Sequence, residues 1–63
     1  MSPDDIKAAR LELGMTQAAL AEALELSNND SATVRSWEKG RRKPIGPVRV
    51  AIRLMLELHR AGR

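Results

Sequence analysis

The segment Gly14-Met15-Thr16-Gln17-Ala18-Ala19-Leu20-Ala21-Glu22-Ala23-Leu24 constrains the fold most, together with Val34-Arg35-Ser36-Trp37-Glu38-Lys39-Gly40, which follows nine residues later. The pair predicts two short helices, at about residues 16–24 and 31–39, joined by a turn. Thr16 caps the first. Leu20, Ala21 and Leu24 form its inward stripe, and the small Ala21 admits a neighbouring helix. Leu26 anchors the exit. Ser27-Asn28-Asn29-Asp30-Ser31 is turn and cap chemistry, with Asp30 or Ser31 capping the next helix. Gly40 stops it.

The flanking segments carry the same punctuation. Ser2 caps a first helix, Pro3 suits its first position, and Asp5 bonds back to the Ser2 amide. Ile6, Ala9, Arg10 and Leu13 share a face, and Gly14 ends the helix at positive φ. Gly46-Pro47 opens a last helix running to about His59 or Arg60, with an extra turn allowed around Ile45. Strand signal is nearly absent, for the chain has no Tyr or Phe and no useful period-2 alternation. The fold class expected is all-α, a compact domain of four to five helices spanning residues 1–63.

At 63 residues the chain makes one domain. Such a chain buries only about 60% of its unfolded surface, so stability is marginal. With no cysteine, disulfides and thiolate metal sites are excluded, which leaves self-association as the route to more burial. No apolar run is long enough for a signal peptide or a membrane span, so a cytoplasmic protein is expected.

The net charge of +3 matters less than its placement. Residues 31–53 carry seven cations (Arg35, Lys39, Arg41, Arg42, Lys43, Arg49 and Arg53) against Glu38 alone, a net +6, and the remainder of the chain is at −3. A field focused on one part of a small domain suits a polyanion.

On a 3.6-residue wheel, Val34, Trp37 and Glu38 face the domain. Ala32, Arg35, Ser36 and Lys39 lie opposite, with Thr33 at the edge. Short side chains let the backbone enter a major groove, where Arg35 and Lys39 reach guanine edges or phosphates. The competing reading of these positions is an ordinary solvated face. Arg41-Arg42-Lys43 follows at once, stiffened by Pro44, at a position for phosphate contact. Trp37, the only aromatic, is assigned to the core rather than to base stacking.

At these residues the chain resembles the lambda-repressor/Cro-like, or XRE-type, helix-turn-helix family. The matching pieces are Gly14-Met15-Thr16-Gln17, Leu20-Ala21, Leu24, Leu26-Ser27, Thr33-Val34, Trp37-Glu38, Gly40 and Pro44, over roughly residues 6–56. The resemblance implies a DNA-binding regulator of transcription. It implies a phosphate contact for Gln17 and a pairing of Glu38 with Arg10, which makes Arg10 structural. The family usually has glycine where this chain has Glu25. It also has two residues between the turn serine and the Thr-Val pair, where this chain has five. The longer turn brings Asn28 and Asn29 either to the DNA or into a solvated Asx turn.

In the last helix Val48, Ala51, Ile52, Met55 and Leu58 make the expected core stripe. Val50 and Leu54 fall outside it, and Leu56 lies on yet another side. The excess suggests a dimer interface through Val50 and Leu54. His59, the lone histidine, suits a helix C-terminus and has no catalytic or metal role.

No catalytic constellation can be assembled, so the reading is not an enzyme, with no cofactor, metal or small-molecule ligand. It predicts a homodimeric, sequence-specific DNA-binding protein, nucleoid-associated when bound. It represses by promoter occlusion at a palindromic operator in double-stranded DNA and regulates itself. Base reading falls to Ala32, Thr33, Arg35, Ser36 and Lys39. Phosphate contact falls to Gln17, Asn28, Asn29, Arg41, Arg42 and Lys43. Two rivals stand beside it: an antitoxin, which would need a toxin-binding extension beyond Leu58, and a protein-interaction module, which would not need the +6 segment.

Overall fold

The computed structural model describes residues 1–26 and 31–62. These form helices α1 (Pro3–Glu12), α2 (Gln17–Ala23), α3 (Ser31–Glu38) and α4 (Gly46–Ala61), with no strand among the described residues. The chain is thus all-α.

The helix ends are made by the residues the sequence singles out. Ser2 Oγ accepts the Asp5 amide at 3.2 Å while Asp5 Oδ2 accepts the Ser2 amide at 2.9 Å, closing a capping box. Thr16 Oγ1 accepts the Ala19 amide at 3.0 Å. Of the two residues expected to cap α3, Ser31 is the first residue of the helix and Asp30 lies outside the described residues.

Three helices end in the same closure. After α1 the Met15 amide donates to Arg10 O and Gly14 to Leu11 O, both at 3.0 Å. After α3 the Arg41 amide donates to Ser36 O at 2.9 Å and Gly40 to Trp37 O at 3.1 Å. These are Schellman motifs, which need a left-handed residue. Gly14 (φ 70°) and Gly40 (φ 76°) supply it. After α2 the same pair of bonds joins Leu26 to Ala21 O at 3.0 Å and Glu25 to Glu22 O at 2.9 Å. Here the left-handed residue is Glu25, at φ 56°, the one described non-glycine residue with positive φ.

Ile6 and Ala9 of α1, Leu20 and Ala21 of α2, Val34 and Trp37 of α3 and Ile52 of α4 form the buried core. Met15, Leu24, Leu26, Val48, Met55 and Leu56 pack around it. α3 lies chiefly on α2, and α1 lies on α3 and α4. Full burial of a side chain such as Leu20 or Ile52 is worth roughly 1.5–3 kcal/mol. Ile52 is the fully buried residue of α4, so truncating it to Ala would cost about 2–5 kcal/mol and loosen α4 from the rest.

Two expectations for α4 are corrected. Leu58 is 73% exposed and does not belong to the core stripe, whereas Leu56 does pack against the core. The helix is turned so that Leu56 meets Ala8, Ala9 and Glu12 of α1 across a shared cleft. Arg60 Nε on the same side donates to Glu12 Oε2 at 2.7 Å. Nor does Ile45 start an extra turn: it is extended (φ −68°, ψ 160°) and precedes α4 as its N-cap residue without a side-chain cap.

Candidate nucleic-acid interface

α3 is seated by its inner face. Val34 and Trp37 are buried, and Glu38 is tied to α1 and α2. Arg10 Nε donates to Glu38 Oε2 at 2.7 Å and Arg10 Nη2 to Glu38 Oε1 at 3.2 Å, a bidentate pair whose side chains are 12% and 6% exposed. Arg10 Nη1 also donates to Met15 O at 3.0 Å, in the turn before α2. Gln17 Nε2 completes the cluster by donating to Glu38 Oε1 at 3.3 Å. Burial by itself would raise the Glu38 pKa, but the Arg10 and Gln17 hydrogen bonds and the Arg10 charge outweigh it and hold the carboxyl below its ordinary value. The bond to Glu38 correspondingly raises Arg10, against a smaller opposing effect of burial. No buried side-chain polar atom among the described residues lacks a partner.

The opposite face of α3 is open. Ala32, Arg35 and Lys39 are exposed, and Thr33 and Ser36 are half-buried. The wheel argument and the burial pattern therefore agree about which side of α3 points outward. Arg41, Arg42 and Lys43 are all exposed, and Pro44 behind them is buried. The loop does not simply run away from α3. Its Schellman closure, extended by a bond from the Arg42 amide to Ser36 O at 3.4 Å, folds it back against the helix. As a result Arg42 shares a cleft of about 260 Å³ with Ala32, Thr33 and Ser36. A second cleft, of about 210 Å³, is lined by Trp37, Arg42, Lys43, Pro44 and Arg49, among others. Arg49 Nη1 donates to Pro44 O at 2.7 Å, fastening the loop to the start of α4.

Gln17 is half-buried at the start of α2, with its amide turned toward Glu38. Asn28 and Asn29 lie outside the described residues. Val50 and Leu54 of α4 remain 44% and 52% exposed. Among the described residues no cluster of His, Asp or Glu is placed to hold a metal ion, and no helix is long and apolar enough to cross a membrane.

A helix pair with a buried inner face, a small basic outer face and a cationic exit loop is the geometry of DNA-binding helix-turn-helix proteins. The family model for helix-turn-helix domains matches residues 6–44. The chain belongs to the lambda-repressor/Cro-like, or XRE-type, helix-turn-helix family. The match takes in α1 from Ile6 onward, α2, α3 and the basic loop, and stops just before α4.

Two relatives share the unit. The type II methyltransferase M1.ScrFI of Lactococcus lactis subsp. cremoris is 49% identical over 39 residues, which is 62% of this chain and 10% of that protein. The type II methyltransferase M.SsoII of Shigella sonnei is 49% identical over 41 residues, 65% of this chain and 11% of that protein. The chain thus spans about a tenth of the length of the curated relatives it matches. No solved structure matches it.

Proposed function

We propose that the chain is a sequence-specific transcriptional regulator in the cytoplasm, a homodimeric repressor that occludes a promoter. The observation that carries this reading is the outward presentation of Ala32, Arg35 and Lys39, flanked by Thr33 and Ser36, on a helix pinned through Val34, Trp37 and Glu38. A helix held this firmly presents its outer side chains in fixed positions, as base reading requires. Arg35 and Lys39 reach base edges, and Arg41, Lys43 and Gln17 hold the flanking phosphates. Residues 1–63 act as one helix-turn-helix domain, and control of its own operon is part of the reading.

Random-site selection with purified protein tests it. A consensus should emerge. On the selected duplex Arg35→Ala should cost about 1–3 kcal/mol and relax preference at one base position. Unchanged affinity and preference would mean that α3 is not the reading helix.

A second reading draws on the relatives. The unit occurs in type II methyltransferases about ten times its length, so the same domain also suits the DNA-holding part of a larger enzyme or assembly. In that case a consensus would emerge without any effect on transcription from promoters that contain it.

A further inference from the structure

The outer face of α3 is asymmetric. One edge carries the two long cations, Arg35 and Lys39. The other carries only Thr33 and Ser36, whose short hydroxyls are half-buried. A helix lying in a major groove faces base edges on both sides. On the Thr33–Ser36 side, nothing in α3 itself extends far.

Arg42 occupies that side. The Schellman closure at Gly40 reverses the chain, the Arg41 and Arg42 amides both donate to Ser36 O, and Arg42 comes to line one cleft with Ala32, Thr33 and Ser36. The backbone of Arg42 is therefore fixed relative to the reading helix, which is unlike a residue on a free loop. An arginine set beside hydroxyls on a groove-facing surface has the reach and the forked donors to bond guanine O6 and N7 together.

We propose that Arg42 is a base-reading residue of this domain, contacting a guanine edge on the Thr33–Ser36 side of α3, while Arg41 and Lys43 serve as phosphate contacts. The reading surface is then bipartite, made of α3 and one residue of the loop behind it. This departs from the sequence expectation, which placed Arg42 with Arg41 and Lys43 among the phosphate contacts from their place just past the helix. It rests on the DNA-binding reading given above.

The test compares wild type, Arg42→Ala, Arg42→Gln and Arg41→Ala on the selected duplex and on an unrelated duplex of equal length, across a salt series. Each variant is also put through a fresh site selection. Arg42→Ala should lose about 10–100-fold on the selected duplex, and on the unrelated duplex no more than Arg41→Ala loses there. Its reselected site should lose preference at one base pair per half-site and keep the rest. Arg42→Gln should relax that position or shift it from guanine toward adenine. If Arg42→Ala weakens both duplexes by the same factor and reselects an unchanged site, Arg42 is a phosphate contact and the proposal falls alone. A wild type with no consensus at all overturns the sequence-specific reading and this proposal together.

Discussion

Arg10 and Glu38, 28 positions apart, meet in a bidentate ion pair with a 2.7 Å Nε–Oε2 contact. The pair joins the last turn of α1 to the last residue of α3, and through Gln17 and Met15 it also reaches the start of α2. It sets where α3 ends relative to both of its neighbours. The pair is mostly buried, so each charge depends on the other for compensation.

Replacing Arg10 by Met should therefore cost about 3 kcal/mol or more, because Glu38 is left without its cation. In a domain of this size that is a large share of the total stability. Replacing Arg10 and Glu38 together by apolar residues should recover much of the loss. Chemical denaturation of the two single variants and the double variant measures the coupling.

Acid should act through the same carboxyl. The Glu38 pKa is lower in the folded chain than its ordinary value. Its contribution is thus present above the unfolded pKa, about 4.3, and is lost as pH falls through the folded value. The melting temperature should hold between about pH 7 and 5 and drop below about pH 4. Glu38→Gln should be less stable near neutrality and should show a shallower acid decline. An equal decline in both proteins would place the acid sensitivity elsewhere.

Glu25 is held at φ 56° because the α2 closure requires a left-handed residue there. A side chain costs about 1–2 kcal/mol in that conformation, and glycine avoids most of it. Glu25→Gly should raise stability by up to about 1 kcal/mol, or about 4–8 °C in Tm for so small a domain. Glu25→Val should lower it, since a β-branched residue fits positive φ worst. A Tm for Glu25→Gly below wild type would contradict this account.

Val50 and Leu54 leave an apolar patch on the outside of α4, continuous with a groove lined by Leu24, Pro47, Ala51 and Met55. The proposed dimer uses this patch. Sedimentation should give a dimer for the wild type and a folded monomer for Leu54→Glu, binding a full site little better than a half-site. Such a dimer should place two α3 helices about 34 Å apart, so the operator should be an inverted repeat with half-sites one helical turn apart or a multiple of it. A wild type that stays monomeric both free and on a full site would remove the dimer.

The helix boundaries were legible because they depend on local chemistry. Ser2 with Asp5, Thr16, Gly14 and Gly40 each act within a few residues of themselves. The rotation of α4 was not legible. Apolar residues surround most of that helix, and the choice between Leu56 and Leu58 is made by α1, through Ala9 and the Arg60–Glu12 pair. The outward side of α3 could be read from its own periodicity. Arg42's place against Thr33 and Ser36 could not, since it follows from a chain reversal that composition does not encode. A Gly at the C-terminus of α3 is the available signal, and by itself it marks a helix stop without giving the side to which the chain returns.

Trp37 is the single tryptophan in a chain without tyrosine, and it lies at 5% exposure on the back of α3, beside the loop that carries Arg42 and Lys43. The ultraviolet emission of the 63-residue chain thus originates from one ring on the back of α3. Loosening of α3, or pressure on the loop from a bound duplex, should change the surroundings of that ring and with them the emission. The domain carries a native optical gauge at the back of α3, and unfolding and docking can both be followed without a label.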